Sequence, residues 1–332
     1  MIRLLYRKLK REIKELTRLA RYPFLQGSII SRLEKEMPCV SIETTNICNA
    51  NCIFCAYQYQ SRPTGIMEKN IFQGIIDQYD DFGGGNINLT PTVGDPLCDP
   101  LVIQRIQYAK SKKNIKVVGL YSNLILLDRV TAEALVDSGL DSLTVSMSGF
   151  DPEMYRRLYR SNEYERVLKN LYDFISANQS KGWPVGFLID MRVDSPLREV
   201  VRADEFQTIA GMIGVDRINI KFRYDDWHGK ISPGQLQGNM KLRKTFTLRK
   251  PRISPCSELF SGPMIYWDGR VGACGCRDFN ASELIIGNIK QDNIVDIWFG
   301  PEIKRLRREF LTRNIQPICR DCGQYNNLSR KV

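Results

Sequence analysis

The chain of 332 residues contains a single histidine, His228. A metal site built from several histidines, or an acid–base pair of histidines, is therefore excluded. No apolar run approaches the roughly 18–20 residues of a membrane-spanning helix, and the N-terminus is charged throughout, unlike a secretory signal. We therefore expect a cytoplasmic protein, and its 43% hydrophobic residues are enough for a sizeable core.

Cysteine is present but unevenly distributed. Ten cysteines are too few for a disulfide scaffold in a chain of this length, and their clustering indicates metal-bound thiolates in a reducing compartment. Cys48, Cys52 and Cys55 form a C-x3-C-x2-C pattern. Three thiolates can hold three irons of a [4Fe–4S] cluster and leave the fourth iron open to a small molecule. A zinc knuckle or part of a closed cluster is the alternative.

This run of cysteines, with Phe54 before the last one, resembles the signature of the radical S-adenosylmethionine (SAM) superfamily. The resemblance implies that SAM binds the open iron through its amino and carboxylate groups. It also implies that reductive cleavage of SAM yields a 5′-deoxyadenosyl radical, which abstracts hydrogen from a substrate. Phe54 would then pack near the adenine.

Short apolar runs alternate with longer amphipathic stretches from residue 38 to about residue 230. The pattern predicts six strands, at Val40–Thr45, Asn86–Thr90, Lys116–Tyr121, Ser142–Ser146, Val185–Val193 and Arg217–Phe222. It predicts helices at Lys69–Tyr79, Leu101–Ser111, Arg129–Ser138, Tyr164–Asn178 and Ala203–Ile213. Such alternation is typical of parallel βα units. The fold class expected is α/β, and six units match the partial (β/α)6 barrel that the resemblance implies.

The chain is expected to divide into four parts. Residues 1–37 form a basic N-terminal extension with an amphipathic helix, and residues 38–235 form the barrel. Residues 236–255 read as a basic linker, and residues 256–332 as a small auxiliary iron–sulfur domain.

Residues that follow the predicted strands supply cofactor-binding candidates. Gly94 and Asp95 lie in a Gly-Asp-Pro turn that resembles the family's Gly-Gly-Glu-Pro motif, which helps to hold the SAM amino group. Ser148 resembles a serine that contacts the ribose, and Arg160, in the next helix, resembles an arginine that meets the SAM carboxylate. A helix-capping serine and a surface arginine are the alternatives for these two. Two residues that end the third strand also point toward the expected mouth of the barrel: Ser122 and Asn123.

Alternating polar side chains share a face on each of the last two predicted strands. They are Asp190, Arg192 and Asp194 on the fifth strand and Asn219, Lys221 and Arg223 on the sixth. Polar groups at these strand ends are typical of substrate contacts in β/α barrels, and exposure at a sheet edge is the alternative. Arg192 and Lys221 are the candidates to hold the substrate or to take a proton.

A second set of cysteines lies near the C-terminus, at Cys256, Cys274, Cys276, Cys319 and Cys322. Four of these, all except Cys276, can saturate a second [4Fe–4S] cluster, and zinc would satisfy the same four residues. Gly269 and Cys274 make a G-x4-C pattern, and the whole arrangement resembles the SPASM/twitch branch of the superfamily in its shorter, one-cluster form. Cys276 is left either as a buried thiol or as a hydrogen-atom donor to a substrate radical.

The net charge of +11 is concentrated in two short segments. Residues 1–22 carry eight basic and two acidic residues, a sum of +6, and residues 241–252 carry six basic and no acidic residues, again +6. Such segments attract phosphates or acidic lipids, or they form solvated faces. The amphipathic first segment either docks on the barrel or makes a peripheral contact with an anionic membrane.

These features predict a radical SAM oxidoreductase that uses SAM and two [4Fe–4S] clusters. The expected reaction oxidises a carbinol of a sugar-like, cyclitol-like or anionic substrate, either small or carrier-linked, and passes one electron to the auxiliary cluster. A flavodoxin or ferredoxin would supply the reducing electron. An epimerase or peptide maturase with a cysteine hydrogen donor is one alternative. A non-catalytic iron–sulfur protein is the other, although the open-iron motif argues against it and nucleic acid is not an expected partner.

Overall fold

The computed structural model describes Thr17 and residues 21–243, 254–320 and 322–328. Six parallel strands lie side by side in chain order, and each pairs with the next. They are β1 (Cys39–Ile42), β2 (Gly85–Asn88), β3 (Ile115–Ser122), β4 (Ser142–Ser148), β5 (Gly186–Arg192) and β6 (Ile218–Lys221). Because parallel neighbours need crossover connections, helices fill the chain between them. The predicted α/β class with a central parallel sheet is confirmed.

The helices before and between these strands cover the sheet. They are α1 (21–33), α2 (Lys69–Phe82), α3 (Val102–Lys110), α4 (Leu127–Val130), α5 (Ala132–Asp137), α6 (Pro152–Tyr159), α7 (Tyr164–Ser180), α8 (Leu197–Val200) and α9 (Asp204–Ile213). Single 3-10 turns occur at Ala56–Tyr59, Pro96–Cys98 and Val215–Arg217. The core lies between the helices and the strands, where Val40, Val118, Val145 and Ile189 are fully buried.

Two helices differ from the sequence-based prediction. The predicted helix Arg129–Ser138 is divided at Thr131, whose backbone has a φ of 65° and whose hydroxyl accepts a hydrogen bond from Ala134 N at 3.1 Å. A helix was expected near Asp151 and Pro152 with Arg160 inside it, whereas α6 ends at Tyr159; Asp151 accepts from Met154 N at 2.5 Å and Pro152 occupies the first turn. Aspartate followed by proline is a strong signal for a helix start.

The C-terminal segment extends the same sheet. Strand β9 (Met264–Ile265) pairs in parallel with β1, and β10 (Arg270–Gly272) and β11 (Ile285–Asn288) continue the sheet in antiparallel pairs. Gly262, with a φ of 134°, precedes β9, and a Cβ at this position would overlap the carbonyl oxygen of Cys39. Only glycine allows the chain to approach β1 this closely. The remaining C-terminal elements are the 3-10 turn Ser257–Phe260, α10 (Ile294–Trp298), α11 (Pro301–Leu311) and α12 (Pro317–Arg320).

The two basic segments are described in part. Helix α1 buries Tyr22, Ile29, Ile30 and Leu33 against the core, while most of the amphipathic helix predicted over residues 1–22 lies outside the described residues. A 3-10 turn forms at Pro233–Gln235, just before the predicted linker, and within the linker β8 (Lys241–Leu242) pairs with β7 (Arg223–Tyr224). None of the described helices is long and apolar enough to cross a membrane.

Candidate active site

A cavity of about 300 Å³ lies where the parallel strands end. Residues at or just after the carboxyl ends of five strands line it, namely Thr90, Ser122, Ser146, Arg192 and Lys221. The loop after β1 contributes Cys48, Cys52 and Cys55, and later segments contribute Arg223, Tyr224, Asp225, Trp227, Arg243, Arg277 and Gln324. Active sites of β/α barrels are found at this end of the strands. The cavity is therefore the candidate active site.

Buried hydrogen bonds fix the cysteine-bearing loop. Asn46 closes its base, because its side-chain amide donates to Gln60 Oε1 and to the Pro63 carbonyl, both at 2.9 Å, and its side-chain oxygen accepts from Gly65 N. Further along the loop, the backbone amide of Ile53 donates to the Leu158 carbonyl of α6 at 2.9 Å. The loop therefore holds its three cysteines against both the strand ends and α6.

The three thiols fit a [4Fe–4S] cluster with one open iron. All three line the same cavity, and the Tyr57 amide donates to Cys55 Sγ at 3.5 Å, as N–H groups do toward cluster sulfurs. Burial raises the pKa of all three thiols, and the Arg192 charge opposes this at Cys52 and Cys55. Bound iron takes the place of the thiol proton. The same cavity extends from these thiols to the ends of β5 and β6, where Arg192 and Lys221 line it.

The Gly-Asp-Pro turn lies against this loop, since the Asp95 amide donates to the Ile47 carbonyl at 2.8 Å, and the Asp95 carboxylate bonds within the protein. Asp95 accepts from Ser122 Oγ at 2.9 Å, from Asn123 N at 2.7 Å and from Leu97 N at 3.0 Å. Burial raises the pKa of Asp95, and these donors act against that effect. Asp95 thus fixes the end of β3, and its contact with the SAM amino group stays a prediction.

Gly94, the first residue of this turn, and Asn123, which follows β3, have different roles in the cavity wall. Gly94 has a φ of 134°, and a Cβ there would lie 3.0 Å from the backbone of Asn46. Asn123 donates to Asn49 Oδ1 at 2.8 Å and lies 4.0 Å from Cys48 Sγ. The predicted group Gly94, Asp95, Ser122 and Asn123 is therefore brought together beside Cys48.

The serine that β4 presents to the cavity is Ser146 rather than Ser148. Ser148 is fully buried, and its hydroxyl donates to the Gly149 carbonyl at 2.8 Å. Ser146 lines the cavity, lies 3.1 Å from the Tyr159 hydroxyl and accepts from Arg192 Nη1 at 2.7 Å. Side chains alternate along a strand, so a choice between Ser146 and Ser148 depends on where the strand ends.

Arg160 lies just past α6 rather than within it. Its backbone has a φ of 50°, its side chain is exposed, and Nη1 donates to Gln58 Oε1 at 3.0 Å. It is not among the described residues that line the cavity. Contact of Arg160 with the SAM carboxylate stays a prediction.

Arg192 and Lys221 meet at Asp190, which is almost fully buried. Arg192 Nη2 lies 3.3 Å from Asp190 Oδ2, and Lys221 forms an ion pair with the same oxygen. Burial lowers the pKa of Lys221, and the Arg192 charge acts in the same direction. Asp190 therefore holds two cations at the end of β5 and β6, whereas Asp194 pairs with Arg157 at 3.0 Å.

An aromatic group surrounds Arg192. Its guanidinium lies 5.2 Å from the centre of the Phe54 ring, which contacts Tyr159 at 5.4 Å and Tyr224 at 5.5 Å between ring centres. Phe54 itself lines the cavity, in keeping with a position beside a bound adenine. Tyr159 and Tyr224 were not predicted as site residues, because neither directly follows a predicted strand.

The opposite wall is built around Trp227 and Arg277. Arg277 lies 4.3 Å from the centre of the Trp227 ring, and its Nε lies 3.0 Å from Asp225 Oδ1. The Trp227 indole donates to the Phe54 carbonyl at 3.1 Å. The sequence-based prediction did not single out Asp225, Trp227 or Arg277, although Arg277 directly follows Cys276.

The second set of cysteines gathers beside this wall. Cys256 forms an isolated bridge with Asn327, the Ser257 amide donates to the Asn326 carbonyl at 2.7 Å, and the Cys276 amide donates to Cys274 Sγ at 3.3 Å. Burial raises the pKa of Cys256 to about 12. The charges of Cys322 and Cys256 interact, as do those of Cys276 and Cys322, so thiols from three chain segments lie near one another, as a second cluster requires. Cys276 is not among the described lining residues.

Comparison with known proteins agrees with this arrangement. The family model of the radical SAM superfamily matches residues 42–202, and the model of the SPASM iron–sulfur cluster-binding domain matches residues 256–323. The chain therefore belongs to the radical SAM superfamily and has a SPASM-type domain, as the cysteine patterns predicted. It is a radical SAM enzyme that uses SAM and two [4Fe–4S] clusters.

Several relatives are named for the same activity. The GTP 3′,8-cyclase of Chlorobaculum tepidum is 23% identical over 232 residues, which cover 68% of this chain and 66% of that enzyme. The probable GTP 3′,8-cyclase of Methanocaldococcus jannaschii is 26% identical over 282 residues, covering 78% and 92%. That of Methanococcus aeolicus is 30% identical over 273 residues, covering 76% and 89%.

Solved structures share the fold. BtrN in complex with AdoMet and 2-DOIA has a TM-score of 0.55 at 16% identity, with 88% of this chain and 94% of that chain covered. Streptococcus suis SuiB bound to the precursor peptide SuiA has a TM-score of 0.61 at 14% identity, with 92% and 76% covered. At these identities the likeness concerns the fold alone.

Proposed function

We propose that this radical SAM enzyme acts on a substrate that carries phosphate or another anionic group. The proposal depends on the cationic side chains of the cavity wall: Arg192, Lys221, Arg223, Arg243 and Arg277. Among the described residues of the wall, two carry a carboxylate: Asp95 accepts hydrogen bonds, and Asp225 forms an ion pair with Arg277. An excess of one charge in a cleft attracts ligands of the opposite charge.

The proposed reaction removes hydrogen from a carbinol. When bound, the catalytic cluster and SAM supply the 5′-deoxyadenosyl radical that removes a hydrogen atom from carbon, and the auxiliary cluster supplies an acceptor for one electron. The hydroxyl proton must then leave to complete the oxidation to a carbonyl. Lys221 in its neutral form is the proposed acceptor of that proton, because burial and the Arg192 charge lower its pKa, and Nζ is held at the cavity by its hydrogen bond to Asp190.

Arg192 and the cations opposite it have separate roles in this proposal. Arg192 is held by Ser146 and by the Phe54 ring, so its position is fixed beside Cys52 and Cys55. Arg243 and Arg223 lie farther along the wall, on or next to the paired strands β7 and β8. We assign the anionic group of the substrate to Arg223, Arg243 and Arg277, which line the cavity together with Arg192.

A second candidate function is ring closure within a nucleoside triphosphate. The relatives named GTP 3′,8-cyclase favour it, and a triphosphate suits the cationic wall equally well. Ring closure within one molecule leaves the substrate mass unchanged, whereas carbinol oxidation lowers it by two hydrogens. Product mass therefore separates the two candidates.

The test is an anaerobic reaction of the reconstituted protein with SAM, dithionite and GTP, followed by mass spectrometry of both products. Deuterium transfer from labelled GTP to 5′-deoxyadenosine would support hydrogen abstraction from a nucleotide. A loss of two hydrogens would favour oxidation, and an isomer would favour ring closure. If no phosphorylated compound, including sugar and cyclitol phosphates, transferred deuterium or bound in a salt-dependent way, the proposal would be wrong.

Two nearby residues give a matched pair for the charge argument. Lys241 is exposed and outside the described lining, whereas Arg243, two residues later, lines the cavity. Arg243→Gln should weaken the binding of GTP by about tenfold, because a charged hydrogen bond is worth roughly 1.5–3 kcal/mol. Lys241→Gln should change it less than twofold at 0.15 M salt, where exposed charges are screened.

A further inference from the structure

The segment Asp225–Gly229 adopts a conformation that L-amino acids rarely maintain. Trp227, His228 and Gly229 have consecutive φ values of 49°, 58° and 75°. Left-handed backbone is unfavourable for each residue other than glycine, because Cβ crowds the following carbonyl oxygen. Asp225 holds the start of this turn, since its Oδ1 accepts from Trp227 N at 2.9 Å. Such strain persists where the surrounding structure requires a particular placement of a side chain, often at functional sites.

The side chain placed by this turn is Trp227, which lies between the two cysteine regions. Its indole donates to the carbonyl of Phe54, next to Cys55, and its ring meets the Phe279 ring with 6.0 Å between centres. Ala56 and Val93 complete an apolar cluster around these rings. Trp227 therefore packs at once against the catalytic-cluster loop and the segment that follows Cys276.

Trp227 and Asp225 together fix Arg277. The ring of Trp227 lies 4.3 Å from the guanidinium, Asp225 pairs with Nε, and Nη1 donates to the Cys276 carbonyl. Gly323 leaves room for Asp225, since a Cβ at position 323 would lie 2.7 Å from Asp225 Oδ2. Arg277 is almost fully buried, yet it lines the cavity. Contacts on several sides therefore fix the direction of the Arg277 side chain.

Arg277 connects the two cysteine regions, since Nη1 donates to the Cys276 carbonyl and the guanidinium packs on Trp227, which bonds to the Phe54 carbonyl next to Cys55. Burial raises the pKa of Cys55 and of Cys322, and the Arg277 charge opposes this at both thiols. Arg277 can therefore contact a substrate that lies between the catalytic cysteines and the second set of cysteines.

We propose that Trp227 and Asp225 are positioning residues that direct Arg277 at the anionic group of the substrate and so fix which C–H bond is presented to the catalytic cluster. This inference rests on the proposed function. It adds that the strained turn serves substrate orientation, and that the packing of the Trp227 ring on Arg277 is required for it.

The experiment is a double-mutant cycle with GTP and tripolyphosphate as binding probes, measured anaerobically by calorimetry. Trp227→Leu removes the flat ring, and Trp227→Phe retains one. A cation–ring contact accounts for about a 2- to 30-fold effect, so Trp227→Leu should weaken binding by roughly tenfold and Trp227→Phe by less than threefold. In an Arg277→Gln background, Trp227→Leu should have almost no further effect. Arg305→Gln, on the exposed face of α11, is the control for a lost surface arginine.

Two further readouts separate positioning from folding. Iron content should remain at wild-type level in Trp227→Leu and in Asp225→Asn. Any substrate that is turned over should show a higher ratio of 5′-deoxyadenosine to product in both variants, because a misdirected substrate is attacked less efficiently.

The possible results discriminate between the two proposals. If the losses in binding free energy of Trp227→Leu and Arg277→Gln simply added in the double variant, the positioning role would be overturned. The proposed function would remain intact. Loss of iron in every Trp227 and Asp225 variant would likewise overturn it, since the turn would then serve only the fold. If the wild type bound neither probe, the proposed function would fail for triphosphates and this inference would fail with it.

Discussion

Arg62 and Glu43 form a buried, two-pronged ion pair at the base of the cysteine-bearing loop. Nη1 lies 2.5 Å from Oε1 and Nη2 lies 2.6 Å from Oε2, and both side chains are almost completely buried. Arg62 Nε also donates to the Phe279 carbonyl at 2.8 Å, and the guanidinium lies 5.0 Å from the centre of the Tyr266 ring. The pair therefore joins β1, the loop and the C-terminal segment.

Removal of Arg62 should destabilise the protein strongly. Arg62→Met leaves the Glu43 carboxylate buried without its partner, and loss of one member of a buried pair costs about 3–5 kcal/mol. Anaerobic urea unfolding would measure this change. The control is Arg305→Met, because the exposed pair of Arg305 with Glu302 should contribute less than about 1 kcal/mol. Equal effects of the two substitutions would contradict the structural role of the pair.

The junction between β1 and β9 should depend on a glycine. Gly262→Ala places a Cβ against the Cys39 carbonyl at a φ of 134°, so we expect a loss of at least about 3 kcal/mol in unfolding free energy. Gly211→Ala in α9 is the matched control, since no atom lies within 4 Å of its Cβ position. That change should stabilise the protein by about 0.5–1 kcal/mol. A fully stable Gly262→Ala protein would show that β9 does not pair as described.

Local patterns in the sequence were sufficient for the six parallel strands and for the catalytic cysteines. Alternation of apolar runs reports whether a segment is buried, and cysteine spacing reports ligand geometry within one loop. Strand β9 gave no such signal, because it has two residues and pairs with β1 more than 200 residues away. Contacts of that kind depend on tertiary packing.

The cavity wall was predictable only where it follows the strands. Arg192 and Lys221 were found because strand ends in a β/α barrel converge. Arg277 and Trp227 come from irregular segments, so their contact depends on chain paths that periodicity does not describe. The choice between Ser146 and Ser148 required the exact end of β4, and strand ends are the least certain part of a sequence-based prediction.

The only histidine in the chain gives a specific pH dependence of stability. Burial lowers the pKa of His228 below its usual 6.5. As the pH falls below 6.5, the unfolded chain binds a proton that the folded chain does not, so stability should fall with it. The effect ends below the folded pKa, where both states are protonated, and it is absent above about pH 7.5. His228→Asn, which tolerates left-handed backbone, should flatten the unfolding free energy between pH 7 and pH 5.5. An unchanged slope would assign the dependence to other groups.

Metal content should separate the two cysteine sets. Anaerobically reconstituted wild-type protein should hold about eight irons, because two [4Fe–4S] clusters are expected. The variant Cys48→Ala/Cys52→Ala/Cys55→Ala should hold about four irons and form no 5′-deoxyadenosine with SAM and dithionite. The variant Cys319→Ala/Cys322→Ala should lose the other four while still binding SAM, because the catalytic set lies in a different loop. About four irons together with zinc in the wild type would make the second set a structural site, and carbinol oxidation would then lack an electron acceptor.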